Sequence, residues 1–99
     1  MSETTQTTSQ DGDGGALQFP EGRYTDVRVY PIQGGSGSLS GGTGTYSSFG
    51  TFSAGVFSPN DLPRVGDHYN ISATCNGVNY QFPGWKCTHS GSTSDFREN

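Results

Sequence analysis

Two cysteines, Cys75 and Cys87, are the residues of this chain whose type and spacing are most suggestive of chemistry. An internal disulfide between them would close a short loop, which the chain-entropy model values at about 3 kcal/mol. They could equally be buried free thiols that pack as small apolar side chains, or form a bridge between two copies of the chain. All three interpretations stay open at the level of the sequence.

Two histidines, His68 and His89, could supply further zinc ligands beside the cysteines, or could belong with Asp67 to an acid/base pair. Their spacing relative to the cysteines matches no standard zinc cluster. The many serines include no Gly-x-Ser-x-Gly nucleophile motif. The Asp67-His68 pair is interpreted more simply as a surface or edge-strand feature. We therefore expect no metal, no cofactor and no enzymatic activity.

Composition limits the core that could position such residues. Apolar residues make up 28 % of the 99-residue chain, whereas Gly, Ser and Thr together make up 40 residues. A chain this poor in apolar side chains forms at most one small domain, which needs support from cross-links, from a metal or from neighbouring subunits. Its formal net charge is −4. With no basic patch and no long apolar run, we expect neither nucleic-acid binding nor a membrane span.

The chain divides into an arm, one domain and a short tail. Residues 1–16 have neither an aromatic nor a β-branched aliphatic residue, which predicts a disordered N-terminal arm. This start also lacks the basic and apolar regions of a secretory signal. Residues 17–96 form the predicted domain, and residues 97–99 form the tail. No segment has a helical period, so the predicted fold class is all-β, a small β-sandwich or barrel.

The segment from His68 to Phe82 gives the clearest structural prediction. Apolar and polar residues alternate on both sides of Asn76-Gly77, which is the strongest short-range signal for a two-residue hairpin. The predicted register places three pairs on one face: Cys75 with Val78, Ala73 with Tyr80, and Ile71 with Phe82.

The remaining strand predictions are local. Tyr24–Ile32 is predicted as a strand with Thr25, Val27 and Val29 on one face. Pro83-Gly84 is expected to end the second hairpin strand, with a short third strand beginning at Trp85. Residues 90–99 are predicted to form a polar tail whose only apolar anchor is Phe96.

The stretch from Val29 to Asn60 contains no Asp, Glu, Lys or Arg. It is either a flexible Gly/Ser loop followed by a buried strand, or a surface that packs against another subunit, where charge is depleted. The second interpretation predicts subunit contacts by four aromatic residues: Tyr46, Phe49, Phe52 and Phe57. An alternative function uses the aromatic residues as a sugar-binding platform, with Trp85 stacking on the sugar ring of a carbohydrate.

These features together resemble those of one class of proteins. With its arm, its Gly/Ser/Thr/aromatic-rich domain, the Tyr69–Phe82 hairpin and the Trp85–Ser94 segment, the chain resembles small accessory structural proteins of tailed-bacteriophage virions, such as capsid decoration, neck or tail components. The resemblance covers residues 20–96. It implies a non-enzymatic, repeated subunit in the virion, assembled in the host cytoplasm, whose partners are further copies or other virion proteins.

Overall fold

A computed structural model of the protein describes residues 4–7, 19–32 and 37–98. These residues form strands and no helix, so the predicted all-β class is confirmed. This part of the chain therefore contains no helix that could cross a membrane. The strands are β1 (Thr4–Thr7), β2 (Gly22–Pro31), β3 (Leu39–Ser47), β4 (Thr51–Gly55), β5 (His68–Cys75), β6 (Val78–His89) and β7 (Thr93–Arg97).

Strands β2 to β7 close into a six-stranded antiparallel barrel, in the order β6-β5-β2-β3-β4-β7 and back to β6. Consecutive pairing gives two three-stranded meanders, β2-β3-β4 and β5-β6-β7, which are joined by the pairs β2–β5 and β4–β7. We call the end at which β2, β4 and β6 finish the upper end, and the opposite end the lower end. Of the two predicted architectures, the barrel is the one formed.

The β5–β6 hairpin has the predicted register. Cys75 lies opposite Val78, and the pairing continues without a shift as far as Ile71 and Phe82. Asn76 and Gly77 have φ angles of 52° and 80°. Both positive values are required by the two-residue turn, which explains why Asn-Gly stands at this point.

A β-bulge at Asp26 changes the predicted faces of β2. Asp26 has a positive φ of 52°, and the pairing of β2 with both neighbours shifts beside it. Thr25 and Asp26 therefore both point outward, and Tyr24 takes the inward position predicted for Thr25. Val27 and Val29 face the core as predicted.

The predicted strand break at Pro83-Gly84 is wrong, because β6 continues through these residues to His89. The two residues together lie opposite one residue of β5, Asn70, and form a second bulge. The Gly84 N–H donates to the Asn70 side-chain oxygen at 3.0 Å, which satisfies the donor that the irregular ladder leaves free. A bulge bends a strand, and beyond this one β6 also pairs with β7.

The predicted polar tail contains the strand that closes the barrel. Residues Thr93–Arg97 form β7, which pairs with β4 on one side and with β6 on the other. Phe96 is fully buried, as expected for an anchor. The prediction of a tail beginning at Ser90 is therefore corrected, and even Glu98 donates its backbone N–H to the Gly50 carbonyl at 2.9 Å.

Part of the predicted N-terminal arm is paired with the barrel. Thr4–Thr7 forms β1, which runs parallel to β6 in register with residues 78–81. The rest of the predicted arm, residues 1–3 and 8–16, lies outside the described residues.

Aromatic rings fill the barrel. Phe82 lies at the centre, with ring centroids 5.1 Å from Phe52, 5.2 Å from Trp85, 5.5 Å from Tyr46 and 5.9 Å from Tyr24. Each aromatic side chain buries roughly 150–250 Å². A few large rings can thus form a core in a chain that has few apolar residues overall.

Candidate contact surface

Three of the four predicted contact residues belong to the core. Tyr46 and Phe52 lie directly opposite each other on β3 and β4 and point into the barrel, and Phe57 is buried beside Gly41. The prediction that these three rings contact another subunit is therefore wrong, because none of them reaches the surface. Phe49 is different: its side chain is 88 % exposed.

The turn that carries Phe49 is held by hydrogen bonds on both sides. The Gly50 N–H donates to the Ser47 carbonyl at 3.0 Å, and the Phe49 N–H donates to the Ser47 hydroxyl at 3.3 Å. The Gly50 carbonyl in turn accepts the Glu98 N–H. The phenyl ring is thus presented to solvent at the lower end by a backbone tied to both β3 and the end of β7.

The outer surface of the β3–β4 hairpin is uncharged and made of small side chains. We call this surface the β3–β4 face; its outward side chains are Ser40, Thr43, Thr45, Thr51 and Ser53. The nearest charged residues across the sheet lie on the two neighbouring strands. Arg28 lies opposite Ser40 on β2, and Arg97 lies opposite Thr51 on β7. The face offers hydroxyl groups and allows close approach of another backbone.

Four of the five large apolar side chains that the described residues expose belong to the uncharged stretch Val29–Asn60. Phe49 is at the lower end, whereas Tyr30, Ile32 and Val56 lie where β2 and β4 finish at the upper end. The fifth is Val65, on the connector between β4 and β5. The uncharged stretch therefore supplies both core residues and most of the exposed apolar surface.

The indole of Trp85 cannot take the sugar-stacking role predicted for it. The side chain is 1 % exposed and packs edge-on against Phe82 and Tyr46 inside the barrel. That prediction is corrected, because a ring buried by its neighbours has no face left for a sugar.

Both cysteines are free thiols. Cys75 is half-buried at the lower end, whereas Cys87 is buried near the upper end, nine residues beyond the Val78 partner of Cys75. Nine residues of strand correspond to roughly 30 Å, and the bulge shortens this only in part, whereas a disulfide needs Cα atoms within about 7 Å. The internal bridge is therefore not formed, and the interpretation as free thiols fits this fold. A bridge between copies stays a prediction.

The two histidines both lie towards the upper end of the barrel and have different surroundings. His89 lies at the upper end of β6, where its Nδ1 is 3.2 Å from the Thr93 carbonyl oxygen. His68 lies on the outer face of β5, and its Nε2 is buried without a hydrogen-bond partner among the described residues. Residues 4–7, 19–32 and 37–98 contain no group of three His, Cys, Asp or Glu side chains that could hold a metal.

Buried tyrosines are the groups whose ionisation the fold perturbs most. Burial raises the pKa of Tyr46 to about 12, and the carboxylates of Glu98 and Glu21 act in the same direction. Burial also raises the pKa of Tyr24, whose hydroxyl donates to the Pro20 carbonyl at 2.6 Å, and the pKa of Tyr69.

These raised values predict loss of stability at alkaline pH. Because the folded pKa lies above the unfolded value of about 10, the stabilisation is complete below pH 10 and is lost as the pH rises towards 12. We expect the tyrosinate absorbance of Tyr24, Tyr46 and Tyr69 to appear together with loss of the near-ultraviolet circular dichroism signal in that window. The control is the chain unfolded in urea, in which the tyrosine hydroxyls should ionise near pH 10. Ionisation of Tyr24, Tyr46 and Tyr69 near pH 10 with the fold intact would contradict the prediction.

The comparisons with known proteins give no match: no family model, no curated protein and no solved structure is similar to this chain.

Proposed function

We propose that this protein is a non-enzymatic structural subunit, a virion accessory protein that is assembled in the host cytoplasm and binds a repeating capsid or tail lattice. The observation that carries the proposal is the exposed apolar surface of the uncharged stretch. Tyr30, Ile32, Phe49 and Val56 are exposed there, and no charged residue lies among them in the sequence. Its partners are other virion proteins or further copies of the chain.

The size of the molecule suits a contact of this kind. The chain exposes 5607 Å² in total, and a standard protein–protein interface buries about 800 Å² on each partner, close to one seventh of that surface. The β3–β4 face and the Phe49 turn together present small uncharged side chains and one exposed ring. Aromatic anchors surrounded by uncharged contacts are typical of interface cores.

Phe49 is the residue from which we expect the largest contribution to binding. Burying an exposed Phe side chain is worth about 1.5–3 kcal/mol. Phe49→Ala should therefore weaken binding to virions about tenfold or more while leaving the thermal midpoint almost unchanged. Co-sedimentation with virions purified from the same host measures the binding. Val65→Ala, which truncates an exposed apolar side chain outside the uncharged stretch, is the matched control.

Two outcomes would count against the proposal. One is equal binding by the wild type and by Phe49→Ala, which would remove Phe49 from the contact. The other is a stable monomer in sedimentation that binds no virion component at all. No observation favours the carbohydrate-binding alternative, because Trp85 is buried. It stays a prediction, which binding to a glycan array would test.

A further inference from the structure

The first half of β6 has one side that pairs with no other strand of the six-stranded barrel. Residues 78–82 pair with β5 on one side, but β7 reaches β6 only between Lys86 and His89. The strand that lies along the other side of residues 78–81 is β1, from the N-terminal region. Without β1, this part of β6 is an open edge.

The hairpin geometry identifies which backbone groups form this edge. In a two-residue hairpin, Cys75 and Val78 exchange both backbone hydrogen bonds, and hydrogen-bonded pairs alternate along the ladder. Val78, Tyr80 and Phe82 therefore direct their N–H and C=O groups towards β5. Asn79 and Gln81 direct theirs towards the edge.

The sequence does not protect this edge. Exposed edge strands usually carry a lysine, another charge or a proline that prevents pairing with foreign strands. No Asp, Glu, Lys or Arg occurs between His68 and Trp85, and β6 has no proline before Pro83. The edge is thus suited to accept an extended segment of chain.

The position of β1 in the chain allows that segment to come from another copy. Eleven residues separate Thr7 from Phe19, which packs against Tyr80 and Phe82 with ring centroids at 4.7 and 5.6 Å. At roughly 3.3–3.6 Å per residue, this connection spans up to about 40 Å. The longest dimension of the molecule is 33 Å. The same connection therefore reaches its own edge or that of an adjacent molecule.

We propose that the β6 edge at residues 78–81 is a docking site for Thr4–Thr7 of a second copy, so that neighbouring molecules exchange their N-terminal strands. The pairs formed within a chain and between chains are the same, so the balance is set by concentration, and crowding of copies favours the exchange. This inference does not depend on binding to a lattice, because it concerns self-association alone.

Cysteine cross-linking between chains of different mass tests the exchange directly. Thr5 and Asn79 are register partners, so Thr5→Cys in one chain and Asn79→Cys in a second chain would bring two thiols together only by exchange. Both chains carry Cys75→Ala and Cys87→Ala. We expect a disulfide-linked heterodimer after mild oxidation at high concentration. If both cysteines in one chain form only an internal bridge and the mixed chains form none, the exchange is overturned.

A proline at the edge gives an independent readout. Gln81→Pro removes an N–H that faces β1 and keeps the ladder to β5, whereas Gln81→Ala removes the same side chain and keeps the N–H. We expect Gln81→Pro to weaken dimerisation in sedimentation about tenfold or more and Gln81→Ala to leave it nearly unchanged. Equal dimerisation of both variants would overturn the docking site. Virion binding by Phe49 is measured separately, so either proposal can fail alone.

Discussion

Phe82→Ala should lower the free energy of unfolding by about 3–5 kcal/mol, a large part of the 5–15 kcal/mol typical of a small domain. Phe82 is fully buried, and the rings of Phe52 and Trp85 lie within 5.2 Å of its centroid. Rings held by a closed barrel cannot move far enough to fill the space that the substitution leaves. The midpoint of urea unfolding, followed by tryptophan fluorescence, measures the change.

The same substitution at an exposed position is the control for Phe82→Ala. Phe49→Ala removes the same atoms from a side chain that is 88 % exposed, and surface substitutions usually change stability by less than about 0.5 kcal/mol. Similar urea midpoints for the two variants would mean that Phe82 is not the centre of the core.

Gly44→Ala should destabilise the barrel by about 1–3 kcal/mol through overpacking. A Cβ atom at this position would lie 2.6 Å from a ring carbon of Phe52 and 2.9 Å from the Ser53 carbonyl oxygen. Phe52 is fully buried against Phe82, and the carbonyl belongs to the β4 backbone, so neither atom can easily move away. Gly44 therefore allows the β3 backbone to approach the ring.

The thermal midpoint measures the effect of Gly44→Ala. A loss of 1 kcal/mol corresponds to a decrease of about 4–8 °C in a domain of this size. Gly91→Ala is the control, because a Cβ atom there would meet its nearest neighbour, the Thr93 carbonyl oxygen, at an ordinary 3.6 Å. An unchanged midpoint for Gly44→Ala would show that β3 and Phe52 adjust without cost.

The β5–β6 hairpin could be predicted between Ile71 and Phe82 because its information there is local. Asn76 and Gly77 specify the turn, and the period of two on each side specifies the register. The bulges could not be predicted in the same way. At Asp26 an extra residue interrupts the alternation of β2, so that Thr25 points outward although Val27 faces the core. At Gly84 the deciding contact is the distant side chain of Asn70.

The candidate contact surface was only partly predictable, for a physical reason. Core strands and interface strands both lack charge and both carry aromatic residues. The composition of Val29–Asn60 therefore could not distinguish Phe52, which fills the barrel, from Phe49, which faces solvent. Pairing of Tyr46 with Phe52 across the turn is the signal that separates them, since Phe49 lies within that turn.

The cysteines show a similar limit to what can be predicted from the sequence. Alternation along a strand indicates which face a side chain occupies, but it does not indicate how far apart two residues on one face lie. Cys75 ends β5 opposite Val78, the first residue of β6, whereas Cys87 lies near the other end of that bent strand. The continuous path of β6 through Pro83-Gly84 is what separates them.

The division of the barrel into two meanders has a consequence for how the chain folds. Within a meander, partners are near in sequence, as with Cys87 and Phe96, whereas the two seams join residues as distant as Thr25 and Thr74. Each half can thus assemble from local contacts, and we expect the meeting of the halves to be the slow step. The barrel thus consists of two three-stranded halves that associate within one chain. The connector after β4 sets the local concentration at which its halves associate, and that concentration falls only slowly with connector length.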